Sequence, residues 1–594
     1  MPNLLKIGKN CESIEESEKV TFLIDGKDYF HAVREAIKNA RHSVYIQSWD
    51  INSELVLERD SVDDPYPVTL GDFLNEIAAA KKDLDIYILS WDFAALFTLD
   101  RELLPVYNLD WKTHERVHFS LDDQQPSGAS QHQKVVVVDN SVAFVGGLDL
   151  TKGRWDTQEH IPRNSKRDVK GGEIVVPYHD VQIMLAGLVA GKLGNAFRND
   201  WLKATGKTIR ETEAVQPDNI WPVDVPVDIQ NTNLGICYTS PEFNGSHEKR
   251  QIQHLYDDAI LASRKYVFIQ NQYVTTPIIG NALKALLEKE KGPEVILVVP
   301  KMTAGWLSQY TMDVLRVRLL RELKKADVHD RLKVYYPDGD GLEDTPINVH
   351  AKVMMVDDTF VTVGSANLNN RSMALDRECN IAIDSEVKHV QDGIAGFRNR
   401  LFAECLGCSP EEISDTYNRE QSLLKTIDSL NDSEKRFLHE LPLDLPKEVD
   451  ERVPDINIVD PEHPIEMEKL LKELVPEEEQ EPTSRRIIGW AFFFAFLFLL
   501  IGAVDWMPLK EWATLESASA AIDEIQAHSM APIMIVLMFV VAGLVVFPLS
   551  LLIIASGIAF GPLDGFLYSF IGGGGAQRCF DLWDWLLCRT KNSA

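Results

Sequence analysis

The chain has little cysteine, and the cysteines follow no regular spacing. Seven of them are scattered over 594 residues, and an odd, dispersed set argues against a disulfide framework. Cys405 and Cys408 form one CxxC pair. Without a second pair or a nearby histidine, an ordinary helix end explains such spacing better than zinc or redox chemistry. We therefore assign this pair no role and expect neither a metal nor another cofactor.

Positive charge is also scarce. Asp and Glu number 90 against 60 Lys and Arg, which gives a formal net charge of −30. No basic cluster of the kind that binds nucleic acid interrupts the acidic sequence. Duplex DNA carries one negative charge per ~1.7 Å, and an acidic field repels it. The composition therefore argues against nucleic acid as a partner.

The N-terminus lacks the apolar run of a signal peptide, because Lys6, Lys9 and Glu12 interrupt it. Long uncharged runs occur instead at residues 487–504 and 530–560. As helices these runs would measure ~27 Å and ~46 Å, against ~30 Å for a bilayer core. The first run predicts a transmembrane helix. The second is interrupted by glycine and proline and predicts a tilted span, or a span plus a re-entrant segment.

Basic residues flank these runs. Residues 485–486 are both arginine, further basic residues lie at 578–591, and the intervening residues 505–529 are acidic apart from one lysine. Segments rich in Lys and Arg tend to stay on the cytoplasmic side of a membrane. We therefore expect both ends of this region, and the chain that precedes it, to face the cytoplasm.

One spaced triplet of a histidine, a lysine and an aspartate occurs twice. Its two copies are His132-x-Lys134-x4-Asp139 and His350-x-Lys352-x4-Asp357. Each copy runs on into a Gly-Gly or Gly-Ser pair at the same distance from the histidine. Two copies in matching context argue against chance.

Apolar residues follow each histidine and lysine, at 135–138 and 353–356, and predict buried strands. Side chains on a strand alternate between its faces, so each histidine shares a face with its lysine. Asp139 and Asp357 stand at an odd offset from the histidines and are predicted to form turns that support the site. An ammonium group neutralises phosphate oxygens, and an imidazole beside it can attack or carry a proton. The pattern therefore favours an anionic substrate.

The duplicated triplet resembles the HKD signature of the phospholipase D superfamily. Its flanks at residues 139–156 and 364–373 are similar to the eukaryotic-type branch, and the likeness covers about residues 20–405. Two positions depart from that branch: Gln131, where a histidine is frequent, and Gln270, where a glutamate is usual. Neither belongs to the triplets, so we expect activity to survive both.

A second resemblance lies near the C-terminus. Residues 547–565 are similar to the opening of the DedA-like (VTT) membrane family, which in some bacterial chains is joined to a phospholipase D-like domain. The likeness ends after the glycines at 572–575. We expect a truncated segment that anchors the chain in a bacterial inner membrane rather than a transporter.

Helical and strand patterns alternate before each motif strand, which is typical of an α/β fold. We expect duplicated phospholipase D-like domains with two mixed, mostly parallel β-sheets packed together, flanking helices and C-terminal transmembrane helices. The predicted domains are repeat 1 at 1–205, repeat 2 at 206–408, an acidic Pro/Glu-rich linker at 409–484 and a membrane region at 485–594. Within the linker, short helices are predicted at 432–440 and 465–474.

The resemblance implies a membrane-anchored phosphodiesterase that hydrolyses or transfers the phosphatidyl group of glycerophospholipids through a phosphohistidine intermediate. A cardiolipin-synthase-like phosphatidyltransferase is one alternative, and a nuclease of the same superfamily is another, which the acidic charge disfavours. Both triplets are intact, so an inactive scaffold is disfavoured as well. The expected partners are a phospholipid substrate and a membrane. Head-group preference and oligomeric state stay open.

The family pattern also implies roles for the imidazoles. His132 is the expected nucleophile and His350 the expected acid, and the reverse assignment stays open. Each imidazole needs a partner that fixes its tautomer. The pattern implies Glu378 for His132 and Asp180 for His350, an arrangement that crosses between the repeats.

The lysines are expected to bind the phosphate oxygens. Lys134 and Lys352, aided by Asn367 and Asn369, would place donors where negative charge develops. The remaining members of the two triplets are Asp139 and Asp357.

Overall fold

The structure is a computed structural model, and it describes residues 4–60, 63–92, 108–109, 112–126, 128–170, 173–303, 306–431, 436–445, 450 and 460–464. The chain divides into two units, residues 1–465 and 466–594. All the described residues belong to the first unit, and among them no helix is both long and apolar enough to cross a membrane. The predicted spans and the DedA-like segment lie outside the described residues.

Strands and helices alternate along the described chain. Its first half contains β1 (Ser13–Ile24), α1 (Asp25–Asn39), β2 (Ser43–Ser48), α2 (Leu70–Ala80), β3 (Asp85–Trp91), β4 (Val117–Asp122), β5 (Val135–Val138), β6 (Val142–Gly146), β7 (Val169–Lys170), β8 (Glu173–Ile174), β9 (Tyr178–His179), β10 (Val181–Ala186) and α3 (Leu188–Thr205).

After a 3-10 turn at Pro217–Asn219, the second half repeats this alternation. It contains β11 (Ile229–Ser240), β12 (Lys249–Arg250), α4 (Gln251–Ala262), β13 (Tyr266–Asn271), α5 (Pro277–Leu287), β14 (Glu294–Val298), α6 (Trp306–Ala326), β15 (Leu332–Gly339), β16 (Asn348–Val349), β17 (Lys352–Val356), β18 (Phe360–Gly364), a π-helical turn (Arg371–Leu375), β19 (Glu378–Asp384) and α7 (Lys388–Leu406). The elements α8 (Pro410–Glu420), α9 (Leu423–Leu430) and β20 (Arg436–Glu440) follow.

The main sheet is continuous and has sixteen strands. From its centre outwards the first half runs β1-β10-β6-β5-β2-β3-β4, and the second half runs β11-β19-β18-β17-β13-β14-β15. The two halves therefore share one strand order and meet where β1 and β11 pair antiparallel. Beyond that junction β6 and β10 contact β18 and β19, so the halves face each other across a common core.

This arrangement confirms an α/β fold with a mixed sheet, but the predicted pair of mostly parallel sheets is wrong. Within the main sheet, parallel pairing among the described strands is confined to β2-β3-β4 and β13-β14-β15. The remaining neighbours in the main sheet pair antiparallel, because hairpins such as β5-β6 and β17-β18 join consecutive strands by short turns. The β1-β11 pairing, which has no local sequence signal, makes one sheet out of two halves.

The motif hairpins turn at the two triplet aspartates. Asp139 and Asn140 have φ angles of 51° and 53°, and Asp357 and Asp358 both have 54°. Positive φ at both central residues is the requirement of a type I′ turn, and Asp and Asn tolerate it better than most residues. Each motif strand is thereby reversed at once into its partner strand.

The acidic linker was predicted to begin at residue 409, but the described residues just after that position are folded as α8, α9 and β20. Ile413 in α8, Ile427 in α9 and Leu438 in β20 are buried. β20 pairs antiparallel with β15, so the helix predicted at 432–440 is a strand at its described residues. The acidic side chains lie on the exposed face, and a few apolar positions were enough to dock the segment. The helix predicted at 465–474 lies outside the described residues.

Candidate active site

Each histidine motif is held by the backbone of the opposite half. The amide of His132 donates to the carbonyl of Arg377 at 2.9 Å. The amide of His350 donates to the carbonyl of His179 at 2.8 Å, beside the parallel pairing of β16 with β9. The two motifs therefore meet where the halves of the sheet come together.

The imidazoles have crossed carboxylate partners. Nδ1 of His132 lies 3.0 Å from both carboxylate oxygens of Glu378, which belongs to the second half. Nδ1 of His350 lies 2.6 Å from Oδ2 of Asp180, which belongs to the first half. Both carboxylates are fully buried. A carboxylate at Nδ1 holds the proton there and leaves Nε2 as the reactive nitrogen.

A buried lysine stands beside each histidine. Nζ of Lys134 lies 3.0 Å from the carbonyl oxygen of His132 and 3.3 Å from Oδ2 of Asp149. Nζ of Lys352 lies 2.5 Å from the carbonyl oxygen of His350 and 3.4 Å from Oε1 of Gln272. Two ammonium groups in a desolvated cleft attract a phosphate strongly, because little water screens them.

Burial and the lysines set the protonation of the imidazoles. Desolvation, followed by the charges of Lys134 and Lys352, lowers the pKa of His132 well below its usual value. Desolvation, followed by the charges of Lys352 and Arg154, lowers the pKa of His350 in the same way. Both imidazoles are therefore neutral at neutral pH in the free site, as a nucleophile must be. A bound phosphate offsets the lysines and favours protonation of the imidazole that acts as acid.

Burial also acts on the other members of the cleft. It raises the pKa of Glu378 to about 7 and the pKa of Asp180 to about 7. It lowers the pKa of Lys352 to about 7. Groups with such pKa values exchange protons readily near neutral pH, which is typical of a catalytic cleft.

The structure does not bring the triplet aspartates to the imidazoles. Asp139 accepts hydrogen bonds from the amides of residues 41, 42 and 43 at 2.6, 2.7 and 2.8 Å. Asp357 accepts from the amides of residues 264, 265 and 266 at 2.7, 2.7 and 2.9 Å. Each aspartate thus joins its hairpin turn to the start of a neighbouring strand. Its carboxylate oxygens accept hydrogen bonds from backbone amides and do not contact the imidazoles.

The two asparagines lie close to the second motif. Asn367 is buried, and its Oδ1 has no hydrogen-bond partner among the described residues. Oδ1 of Asn369 accepts from the amide of Ser372 at 3.1 Å, at the start of the π-helical turn. Nδ2 of Asn367 is the atom that could donate a hydrogen bond to a substrate oxygen, whereas Asn369 shapes the loop.

Several residues of the cleft were not identified from the sequence. Asp149 lies as far after His132 as Asn367 lies after His350. This equal spacing was the signal in the sequence that could have identified Asp149 as a residue of the site. Ser365 donates to Oε2 of Glu378 at 2.5 Å. The Arg154 guanidinium lies 4.9 Å from the ring centre of Tyr178, whose ring centre is 5.3 Å from that of His350. Arg154 carries a third positive charge towards the cleft.

Two family models match the chain. Residues 36–278 match the model described as Phospholipase D, and residues 256–400 match the one described as Cardiolipin synthase, PLD-like domain. Each match contains one histidine motif. Neither extends past residue 400, so the DedA-like resemblance stays a prediction.

Curated relatives and solved structures give further matches. Phospholipase D alpha 1 of Oryza sativa subsp. japonica is 27% identical over 546 residues, covering 68% of this chain and 66% of the relative. Phospholipase D alpha 1 of Arabidopsis thaliana is 26% identical over 578 residues, covering 71% and 70%. The chain thus spans about two thirds of these relatives. Phosphatidylserine synthase of Haemophilus influenzae Rd KW20 matches with a TM-score of 0.46 and 16% identity, over 65% of this chain and 86% of that one.

The matched segments and the paired motifs point to one conclusion. The first model contains His132 with Lys134, and the second contains His350 with Lys352. Both halves of the described fold are therefore similar to phospholipase D superfamily domains.

Proposed function

We propose that the chain is a phospholipase D-type phosphodiesterase that cleaves the head-group ester of glycerophospholipids and passes the phosphatidyl group to water or to an alcohol. One observation carries the proposal. Two neutral imidazoles, each bound through Nδ1 to a buried carboxylate of the opposite half, lie close enough to two buried lysines and to each other to interact electrostatically.

The proposed reaction has two displacements at phosphorus. In the first, Nε2 of His132 attacks, a P–N bond forms, and the bond to the head-group oxygen breaks while His350 supplies that oxygen with a proton. In the second, His350 takes a proton from water or an alcohol, whose oxygen attacks phosphorus and displaces His132. Lys134, Lys352 and Asn367 hold the non-bridging oxygens, where charge develops in the transition state.

The asymmetry of the carboxylates favours His350 as the acid. Glu378 divides its charge between His132 and the hydroxyl of Ser365. Asp180 makes a 2.6 Å contact with His350, which stabilises an imidazolium there. A proton is therefore held better at His350 than at His132 once a phosphate is bound.

Transfer is a second candidate function. The model over residues 256–400 is described as Cardiolipin synthase, PLD-like domain, and the first displacement is the same for a hydrolase and a transferase. The two functions differ only in which acceptor reaches the phosphohistidine. A cardiolipin-synthase-like phosphatidyltransferase therefore uses the same residues in the same roles.

Product analysis separates these functions. The purified full chain is offered phosphatidylcholine and phosphatidylglycerol in mixed micelles, with and without ethanol or glycerol, and single-stranded DNA in a parallel reaction. Phosphatidic acid alone identifies a hydrolase, and a phosphatidyl-alcohol that increases with added alcohol identifies a transferase. Cleavage of DNA with no lipid product rejects the lipid proposal.

We also propose that residues 485–594 anchor the chain in a bacterial inner membrane with the catalytic unit on the cytoplasmic side. The uncharged runs and their basic flanks support this orientation. Protease treatment of intact spheroplasts and of inverted vesicles tests it. We expect the catalytic unit to be digested only in inverted vesicles, and recovery in the soluble fraction would contradict anchoring.

A further inference from the structure

A second cluster of ionisable side chains lies behind Asp180, away from the reacting imidazoles. Asp25 begins α1, His160 lies in the loop after β6, His179 ends β9, and Glu404 lies in the last turn of α7. All four are buried. One ligand atom from each lies within 4.8 Å of the other three. The proposed reaction assigns no role to this cluster.

Four nitrogen-to-oxygen separations within this cluster lie between 2.7 and 3.6 Å. Oε1 of Glu404 lies 2.8 Å from Nε2 of His160 and 2.7 Å from Nδ1 of His179. Asp25 places Oδ1 3.0 Å from Nδ1 of His179 and Oδ2 3.6 Å from Nε2 of His160. A tetrahedral zinc ion with bonds of ~2.0–2.1 Å requires separations of ~3.3 Å between ligand atoms. Small shifts of these side chains would therefore centre an ion among them.

The outer nitrogen of each imidazole already has an acceptor. Nδ1 of His160 lies 3.0 Å from Oδ2 of Asp156, and Nε2 of His179 lies 3.0 Å from Oε1 of Gln270. Metal-binding histidines characteristically donate their second N–H to a carboxylate or carbonyl, which turns the other nitrogen towards the metal. Both imidazoles are thus oriented with one nitrogen on an acceptor and the other facing the two carboxylates.

Two buried oxygens of the cluster lack hydrogen bonds. Among the described residues neither Oδ2 of Asp25 nor Oε2 of Glu404 has a hydrogen-bond partner. A cavity of about 10 Å³ is lined by Glu404 and both imidazoles. A buried carboxylate oxygen without a partner is costly, and a cation beside it removes that cost.

The charge of the cluster also suits a divalent cation. Asp25, Asp156 and Glu404 carry three negative charges, and Arg167, 3.1 Å from Oδ1 of Asp156, carries one positive charge. Arg436 lines the same cavity, so with neutral imidazoles the cluster carries one net negative charge and attracts a cation. Two nitrogen and two oxygen ligands favour zinc and its neighbours among the transition metals over calcium or magnesium.

We propose that Asp25, His160, His179 and Glu404 bind one divalent transition-metal ion of the zinc class as a closed structural site. The site joins α1 and β9 of the first half to α7 of the second. His179 immediately precedes Asp180, the partner of His350, so the ion fixes the backbone that positions this carboxylate. The metal site does not depend on the proposed lipid substrate, because its side-chain ligand atoms have their hydrogen bonds and ion pairs with each other, with Asp156 and with Gln270.

Metal analysis of the full chain, expressed without a polyhistidine tag and purified in mild detergent, tests the proposal. We expect about one equivalent of zinc-class metal per chain. His160→Gln should lower the metal content by ~10-fold or more. His31→Gln is the matched control, because His31 also stands between two carboxylates, Glu58 and Asp224, but outside the cluster. This control should keep the full metal content.

A thermal measurement on the unaltered chain makes the test independent of whether His160→Gln folds. Protein expressed in metal-depleted medium should have a lower Tm than metal-loaded protein, and zinc chloride should restore it. Substoichiometric metal in every preparation, with no change in Tm on adding zinc, manganese or cobalt, would overturn the proposal. The cluster would then be an ion-pair network with protonated imidazoles.

Discussion

The two halves of the sheet share a strand order but differ where each supplies a carboxylate to the histidine of the other. In the second half, Ser365 donates a hydrogen bond to Glu378 at 2.5 Å. The matching residue in the first half is Gly147, where an added Cβ would lie 2.2 Å from Oδ1 of Asp180. The shorter aspartate reaches its histidine only because its neighbour has no side chain.

This difference shows how a duplicated fold acquires two unequal imidazoles. Pseudo-symmetry places two histidine-carboxylate pairs in one cleft, and a single side-chain difference makes their environments unequal. The Glu378 carboxylate is shared with a hydroxyl, whereas Oδ1 of Asp180 is held by the amide of Val181 at 2.8 Å and Oδ2 faces His350. We expect the chemistry to follow that inequality.

The largest expected effect separates the two imidazoles. His132→Asn and His350→Asn should each lower the cleavage of phosphatidylcholine by ~10⁴-fold, because one lacks the proposed nucleophile and the other lacks the proposed acid. With a phosphatidyl ester of p-nitrophenol, whose leaving group needs no proton, His350→Asn should still release a burst of p-nitrophenol, and His132→Asn should not. Quench-flow detection of p-nitrophenol and of acid-labile phosphate on the protein measures this. A burst from His132→Asn alone would reverse the roles.

Exchange of the residues beside the carboxylates tests the inequality directly. Gly147→Ser places its Cβ against Asp180 and should lower kcat by ~10²-fold, because the carboxylate must move from His350. Ser365→Gly removes one hydrogen bond from Glu378 and should lower kcat by ~10-fold. Steady-state kinetics on both variants gives the comparison.

Equal losses of kcat in these two variants would show that the halves are functionally equivalent at this position. A control for Gly147→Ser is Gly153→Ser, because an added Cβ at Gly153 meets no atom within 4 Å. Gly153 has a φ of 76°, so Gly153→Ser strains the backbone. The kcat of this variant therefore measures the effect of backbone strain alone, without a clash at the carboxylate.

The sequence contains the local part of this site. The period of a strand predicts that His132 and Lys134 share a face, and the offset of Asp139 predicts a turn, because both features depend only on neighbouring residues. The crossed partners Glu378 and Asp180 were available only through the family resemblance. Pairing of residues so distant in the chain depends on the tertiary fold.

The parts that the sequence did not predict have the same physical origin. Ser365 and Asp149 are ordinary polar residues at strand ends, and their roles become visible only when the facing half is in place. The single continuous sheet depends on the β1-β11 pairing between distant segments. Residues 410–440 were predicted to belong to an acidic linker because charged residues are frequent there. The segment nevertheless packs on the fold, because the burial of a few apolar side chains, such as Ile413 and Leu438, outweighs the many exposed charges.

A third prediction concerns a contact that belongs to the second half. Asp460 is buried and accepts hydrogen bonds from the amides of Asn370 and Arg371 at 2.8 and 3.0 Å and from the hydroxyl of Thr275 at 2.8 Å. These amides begin the π-helical turn that follows Asn369. Asp460→Asn should lower kcat by ~10-fold with little change in KM, because the loop that follows Asn369 loses charge-assisted hydrogen bonds.

The matched control for Asp460→Asn is Glu462→Gln, which breaks a partly exposed ion pair with Arg250 two residues further along the chain. Surface pairs of this kind contribute little to stability, so kcat should be unchanged. Equal kinetics for the two variants would remove Asp460 from the group of positioning residues.

The smallest expected effect compares matching histidines of α1 and α4. The hydrogen bond that His31 makes to Glu58, followed by the one to Asp224, raises the pKa of His31 to about 9. The matching residue of α4 is His254, which stands at the same distance before its strand and has no ion pair among the described residues. Because the folded-state pKa of His31 lies above its unfolded value of 6.5, its stabilisation is fully present below pH ~6.5 and is lost as the pH rises through ~9. The Tm difference between the unaltered chain and His31→Gln should therefore shrink by a few degrees from pH 6 to pH 9.5. A pH-independent difference for His31→Gln in thermal scans would mean that Glu58 and Asp224 do not hold the proton on His31.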